Sequence, residues 1–315
     1  MTRARPLFSR TGSATDVPVV EGRMVHQYRS GAKRYLSGTG RTAIWQPLAL
    51  GAADCALAQF FVDPARLPGS VQERILRSRI GFCDIVGQTN ERTLQAALIG
   101  SGQVCGNKVP TIDFLDSGDQ RRPREMIFLA AANSLVVDWF IRRVVTTSLN
   151  FFILLGVPLP RVDPASPAGK RLVDLAERLV AAETARDCSL RQVAEDRAEI
   201  DMLICDAYGI DPADLPVFLA DFPLIDRGQP PLPGEAKSTV TSDLLAALGG
   251  NAVARDRYQA AVGMGARAYV PEEFAQVEAR RSALPGYPPS GQPAIGSCRA
   301  EPSGPARSSL RTRYS

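Results

Sequence analysis

Residues 123–145 carry the strongest helical signal in the chain, and every other element has to be fitted around it. Ile127, Ala130, Ser134, Val137 and Ile141 recur at spacings of three and four, as one face of an α-helix requires. Pro123 sits in the first turn, where its missing N–H is not needed. The stretch is apolar enough to be buried. Asp138, Arg142 and Arg143 interrupt it, and residues 149–160 are too short, so neither spans a bilayer. The expectation is a core helix of a soluble globular protein, and Asn133 and Ser134, lying within it, need hydrogen-bond partners if buried. With 315 residues, 45% hydrophobic and 22% charged, the chain has room for one large domain or two ordinary ones.

Around this helix the patterning is mixed. Residues 1–16 are polar and unpatterned and read as a frayed tail. Residues 19–28 alternate as a strand, with Val20, Met24, His26 and Tyr28 on one face and Gly22 as a possible bulge. Residues 29–70, rich in Gly, Pro and Ala, carry no clear assignment. Residues 75–86 alternate again, with Leu76, Ile80, Phe82 and Val86 opposite Arg77, Arg79 and Cys83. A second apolar run at 94–99 follows the polar segment 87–92, so the pair reads as an antiparallel hairpin or meander. Residues 149–153 read as extended, and Pro158 and Pro160 end that unit.

The rest looks helical. Ser166-Pro167 can cap a helix with the stripe Leu172, Leu175, Ala176, Leu179 and Val180. Ser189 and Gln192 fit a capping box, Tyr208-Gly209 a helix stop, and Asp211-Pro212 a short helix start. Residues 226–237 read as a proline-rich linker, 272–281 as a last helix and 285–315 as disordered. The expected fold class is α+β: a mixed antiparallel sheet with packed helices, then a helical segment and a disordered tail.

Charge is unevenly placed. Residues 1–161 hold 20 Lys+Arg against 12 Asp+Glu, and residues 162–315 hold 17 against 21, so a +8 half precedes a −4 half. A basic half suits a polyanion, though solvated surface explains it as well. The six cysteines form no C-x-x-C pair and His26 is the only histidine, which argues against a structural zinc site and for reduced thiols in a cytoplasm. No signal-peptide core follows Met1.

Five segments stand out. They are Glu21-Gly22-Arg23-Met24-Val25-His26-Gln27-Tyr28, then Gly81-Phe82-Cys83-Asp84-Ile85-Val86-Gly87-Gln88-Thr89-Asn90-Glu91-Arg92-Thr93-Leu94. Next come Asn133-Ser134-Leu135-Val136-Val137-Asp138-Trp139-Phe140-Ile141-Arg142-Arg143, and Leu149-Asn150-Phe151-Phe152-Ile153 running into Val157-Pro158-Leu159-Pro160. Last is Arg197-Ala198-Glu199-Ile200-Asp201 through Tyr208-Gly209-Ile210 to Phe222-Pro223. In this order, over residues 17–223, they resemble the DNA target-recognition part of large adenine-specific DNA methyltransferases. These are the single-chain type II restriction-modification enzymes and the methyltransferases of phage-exclusion (BREX) systems.

The resemblance implies a recognition domain docked in the major groove, beside a Rossmann-like domain that uses S-adenosylmethionine to methylate a flipped adenine. That chemistry needs an Asn/Asp-Pro-Pro-aromatic tetrad. Asp63-Pro64-Ala65, Asp163-Pro164-Ala165 and Asp211-Pro212-Ala213 all lack the second proline and the aromatic. No catalytic or metal-binding residue is therefore assigned and no cofactor is expected in this chain, S-adenosylmethionine being implied for a missing or partner domain. Asp226 with Glu235 and Lys237 echoes a nuclease core, but lies in a proline-rich stretch where no strand forms. Gly100-Ser101-Gly102 has no helix pattern after it and reads as a loop.

The expected organisation is a tail over 1–16, a recognition domain over 17–161, a bracing helical segment over 162–225, a linker with short helices over 226–284 and a tail over 285–315. The expected partner is double-stranded DNA, with a methyltransferase subunit in trans as a second partner and no membrane. Arg77, Arg79, Asn90, Arg92, Arg142 and Arg143 are the candidate DNA contacts. Arg and Asn suit phosphate, guanine and adenine edges. The alternatives at these positions are structural: a turn in which Glu91, Arg92 and Thr93 bond to backbone, and a helix end at which Arg142 and Arg143 meet the dipole. Glu199 and Asp201, two apart, read as solvated. A split-enzyme subunit active only in complex, or an inactive remnant, is the alternative to a recognition module.

Overall fold

The helix expected over residues 123–145 is two helices, and the break between them organises the fold. The computed structural model describes residues 5–48, 57–87, 90–114, 118–182, 190–211, 214–219, 221–222 and 256. Helix α2 spans Arg121–Ala132 and α3 spans Leu135–Val144. Between them Ser134 turns extended (φ −69°, ψ 155°), and its hydroxyl accepts from the Val137 N–H at 3.4 Å and donates to the Ala131 carbonyl at 2.7 Å. Serine and asparagine compete with helical backbone bonds and so favour caps over helix interiors. The apolar periodicity is real, since Ile127, Ala130, Val137 and Ile141 are all buried, but it runs through a break that only the polar pair announces.

The architecture is α+β, with three small sheets among the described residues in place of one. The expected hairpin is present as β6 (Arg79–Phe82) antiparallel to β7 (Ala96–Ile99), in register Arg79↔Ile99 and Phe82↔Ala96, with β9 (Thr111–Ile112) on the other edge of β6. The two-faced reading of residues 75–86 does not hold. Ile75 closes helix α1 (Gly69–Ile75), Leu76 is 61% exposed, and all four residues of β6 are buried. β6 is a central strand covered on both sides. Ile80 and Phe82 face α2, whereas a Cβ on Gly81 would lie 2.7 Å from Ile99 Cγ1.

A second sheet is made of β1 (Phe8–Ser9), β2 (Val17–Val20), β5 (Phe61–Val62) and β8 (Val104–Cys105). Its order is β1-β5-β2-β8; β2 runs parallel to β8 and the other pairs are antiparallel. Phe8 pairs with Val62, so residues 8–9 are held in the sheet and not frayed. β2 stops at Val20. A 3-10 turn at Gly22–Met24 and a positive φ of 65° at Tyr28 replace the strand expected to continue to residue 28. Strands β3 (Lys33–Ser37) and β4 (Ile44–Pro47) form a separate antiparallel ribbon in the segment the sequence left unassigned.

Residues 151–155 are helical, not extended. Asn150 accepts the Ile153 N–H at 3.0 Å and caps α4 (Phe151–Leu155). Helix α5 (Pro167–Ala182) begins as expected, with Ser166 Oγ accepting from the Gly169 N–H at 3.0 Å. Helix α6 (Leu190–Tyr208) ends at Gly209, whose φ of 68° suits a glycine stop, and α7 (Leu215–Leu219) follows. Leu172, Leu175, Ala176 and Leu179 of α5 and Ile200 and Ile204 of α6 belong to the same core as Ile80, Phe82, Met126, Leu129 and Ile141. The Ser189 cap, the 226–237 linker, the 272–281 helix, the Asp226/Glu235/Lys237 group and the 285–315 tail lie outside the described residues.

Candidate functional site

Asp138 is the centre of a buried polar network. It lies in the first turn of α3 with no exposed surface, and it gathers the 92–94 segment around its carboxylate. Oδ1 accepts from the Leu94 and Thr93 N–H groups at 2.8 and 2.9 Å, and Oδ2 accepts from Arg92 Nε at 2.6 Å. Arg92 Nη2 donates to the Asn133 carbonyl at 2.8 Å. One helical turn further, Arg142 Nη2 donates to the carbonyls of Asn90 (2.6 Å) and Glu91 (2.9 Å). Both guanidiniums lie over the Phe222 ring, at 5.7 Å for Arg92 and 4.3 Å for Arg142. Burial lowers the Arg142 pKa from its ordinary value.

The break after α2 serves the same network. Asn133 uses its side-chain amide as a strand would use its backbone: Oδ1 accepts from the Ala96 N–H at 3.0 Å and Nδ2 donates to the Ala96 carbonyl at 2.9 Å. Tyr28 N–H reaches that same carbonyl at 2.8 Å, which is what its positive φ achieves. Gln27 donates to the Asn133 carbonyl at 3.0 Å and accepts from Arg197 Nη2 of α6 at 2.5 Å; the Arg197 guanidinium lies 5.4 Å from the Tyr28 ring centre. Asp201, one turn along α6, accepts from the Leu135 N–H at 2.6 Å and so caps α3 from another helix. It is buried and not solvated as expected, because its partner is an orphan N–H of a helix end. Burial pushes its pKa up to about 6 against the pull of Arg92, the Leu135 N–H and Arg197. Glu199 faces the other way and pairs with Arg171 of α5 through two bonds of 2.5 and 2.6 Å. The space left between Tyr28, Arg92, Asn133, Arg197 and Asp201 is a cavity of about 10 Å³, with room for nothing larger than a water.

The six candidate DNA contacts therefore divide. Arg77 and Asn90 are exposed, and Arg143 is half-exposed at the end of α3, bonded to Asp221 and stacked 4.0 Å from the Trp139 ring centre. Arg79, Arg92 and Arg142 are 2%, 5% and 6% exposed. Arg79 donates to the Gln103 carbonyl at 2.7 Å from a strand buried on both faces. A guanidinium engaged with protein acceptors at that depth does not reach a phosphate or a base edge. The DNA-contact expectation for these three is corrected to a structural role.

The sequence reading missed a cluster at the tip of the β3–β4 ribbon. Arg41 lies in the turn, and Arg10 and Arg23, from elsewhere in the chain, converge on it. Arg10 Nη1 donates to the Gly38 carbonyl at 3.4 Å, and Arg23 donates to the carbonyls of Ala43 (3.3 Å) and Gly40 (3.5 Å). All three are exposed. The available signal was the pair of short runs flanking Gly38-Thr39-Gly40, a glycine turn between two strands, which the surrounding Gly/Pro/Ala content obscured.

Among the described residues no helix is long and apolar enough to cross a membrane, and no group of three or more His, Cys, Asp or Glu side chains is arranged to hold a metal ion. The chain matches no protein-family model, and no curated protein matches it in sequence.

Proposed function

We propose that this chain is the duplex-DNA target-recognition part of an adenine-specific DNA methyltransferase or restriction-modification protein, acting in the cytoplasm. One observation carries the reading. The segments whose order resembles that recognition part are also each other's partners in space: Gln27 bonds to Arg197 across 170 residues and to Asn133 across 106, and Arg92 bonds to Asp138 across 46. Their meeting in one buried network supports reading the segments as a single unit. Methyl transfer, with S-adenosylmethionine, is assigned to a domain outside these 315 residues, since they contain no Asn/Asp-Pro-Pro-aromatic tetrad.

The test is binding of the purified chain to fluorescent duplexes of mixed sequence across a salt series, with and without random competitor. Affinity should fall linearly on a log–log salt plot and should resist competitor on some duplexes. A folded, monodisperse sample that binds no duplex at low salt overturns the reading.

A second reading is a subunit of a split methyltransferase, active only in complex. It is favoured by an apolar surface at α4, where Phe152 is 88% and Leu155 83% exposed; Ile85, bridged to Ser148 just before that helix, is exposed as well. It predicts a neighbouring reading frame that encodes an Asn-Pro-Pro-Tyr protein. Co-expression of the two should methylate adenine where neither does so alone.

A further inference from the structure

We propose that the β3–β4 ribbon is the element of this chain that enters the major groove of duplex DNA, with the tip arginines on phosphates and the Arg34–Gln46 pair on base edges. The inference rests on the DNA-recognition reading above and assigns its site to residues that none of the five motifs singled out as contacts.

Three observations carry it. The first is shape. β3 and β4 form a two-stranded sheet of their own, and two strands about 4.8 Å apart fit a groove about 12 Å wide. The turn is tightly built. Gly38 has φ 86°, a Cβ there would lie 2.4 Å from the Thr42 carbonyl, and Tyr35 Oη donates to the Gly38 carbonyl at 2.6 Å.

The second is charge. Residues 5–48 hold seven Lys+Arg against two Asp+Glu, so five of the eight excess positive charges of the first half come from this segment. Arg10, Arg23 and Arg41 bring three of them to one tip. The bonds of Arg10 and Arg23 to the turn are long, 3.3–3.5 Å, so a phosphate oxygen, which makes shorter charge-assisted bonds, competes for those guanidiniums on favourable terms.

The third is the division of the two faces. Tyr35 and Trp45 oppose each other in register, meet edge-on with ring centres 5.6 Å apart, and pack into the core beside Val20, Val25 and Ala97. Arg34 and Gln46, the adjacent register pair, therefore occupy the other face, joined by an Nε–Oε1 bond of 2.7 Å. Arginine and glutamine are side chains that read guanine and adenine edges bidentately in the major groove. The aromatic foot fixes the angle at which that pair is presented.

The test uses the full chain and two variants on the same duplex panel and salt series. Arg10→Ala/Arg23→Ala/Arg41→Ala should weaken every duplex alike and flatten the salt slope by about 0.9 for each phosphate that is no longer neutralised. Arg34→Ala/Gln46→Ala should leave the slope unchanged and lower the ratio of preferred to random duplex by on the order of 5- to 150-fold. Arg41→Glu alone, an exposed turn position, keeps the experiment decisive should the triple variant melt early, and it should lose affinity on all duplexes. If the wild-type chain binds DNA and a folded triple variant keeps its affinity and slope, the ribbon assignment is wrong while DNA recognition stands. If the wild-type chain binds no DNA, both fall. Equal affinity for duplex RNA of the same sequence overturns major-groove entry, because the A-form major groove is too deep and narrow to admit a ribbon.

Discussion

Replacing Arg92 with alanine separates a structural guanidinium from a DNA-reading one. Two charge-assisted hydrogen bonds are removed, to Asp138 Oδ2 at 2.6 Å and to the Asn133 carbonyl at 2.8 Å. At about 1.5–3 kcal/mol each they sum to roughly 3–6 kcal/mol, and breaking a buried ion pair by removing one partner costs about 3–5 kcal/mol. Asp138 keeps the Thr93 and Leu94 N–H groups, so it is not left wholly uncompensated, and the expected loss is about 3–4 kcal/mol. Urea unfolding, followed through the two tryptophans, reads this directly; Trp139 is well placed, edge-on to the Phe218 ring with centres 4.9 Å apart and bonded to Asp221 at 2.6 Å. A double-mutant cycle with Asp138→Asn should return a coupling on the order of 1–3 kcal/mol. Measured on the folded fraction, duplex affinity should be unchanged. A variant that loses less than about 1 kcal/mol of stability yet binds DNA tenfold more weakly would refute the structural assignment and return Arg92 to the DNA-facing surface.

Three further outcomes follow from the same packing. Asp201 titrates near 6 when folded and near its ordinary 3.8 when unfolded, so the stability it contributes is present below about 3.8 and is lost as pH rises through about 6. Unfolding free energies from urea titrations at about pH 4.5 and 7.5 should therefore differ by about 2 kcal/mol from this group, and Asp201→Asn should abolish that difference; equal pH slopes for the two proteins exclude it. Gly169→Ala places a Cβ 2.0 Å from the Asp163 carbonyl, so α5 must shift and the melting temperature should drop by an amount corresponding to about 1–3 kcal/mol, whereas a rise would mean the helix entry is loosely packed. Phe152→Ser, at a site 88% exposed, should change stability by less than about 0.5 kcal/mol in urea titration; a large loss of stability would show that the side chain is covered.

The β6–β7 pairing, the α5 start and the Gly209 stop were legible because each rests on local chemistry: an apolar run beside a polar turn, a serine cap, a left-handed glycine. The failures have a common cause. Apolar periodicity reports which face is buried but not whether the backbone is continuous, so Ser134 passed for a helical position while acting as a cap. Asn150 hid a helix start in the same way. Arg79, Arg92 and Arg142 looked like surface cations because a single sequence does not show that an acid or a carbonyl 24, 46 or 52 residues away will close on them. The ribbon was illegible for a different reason. Its cationic tip is assembled from residues 10, 23 and 41, and no spacing along the chain marks that meeting.

Arg92, Asn133 and Asp138, at the centre of the most specific sequence phrases, thus sit inside the protein. Asn133 illustrates the constraint: its side chain satisfies both backbone groups of a buried residue, and no other side chain pairs with an N–H and a carbonyl at that length. In Asn133→Ala the Ala96 carbonyl retains the Tyr28 N–H, but the Ala96 N–H is left buried without a partner, for a loss of about 1–3 kcal/mol. Arg34 on the half-buried outer face of the ribbon is under no such demand, and its substitution should change stability by less than about 0.5 kcal/mol while altering which duplex is preferred. Urea titration and the duplex panel, run on both variants, should give opposite signatures. If Asn133→Ala keeps its stability and changes target preference, the network is a reading surface after all, and the separation of scaffold from reader argued from these contacts fails.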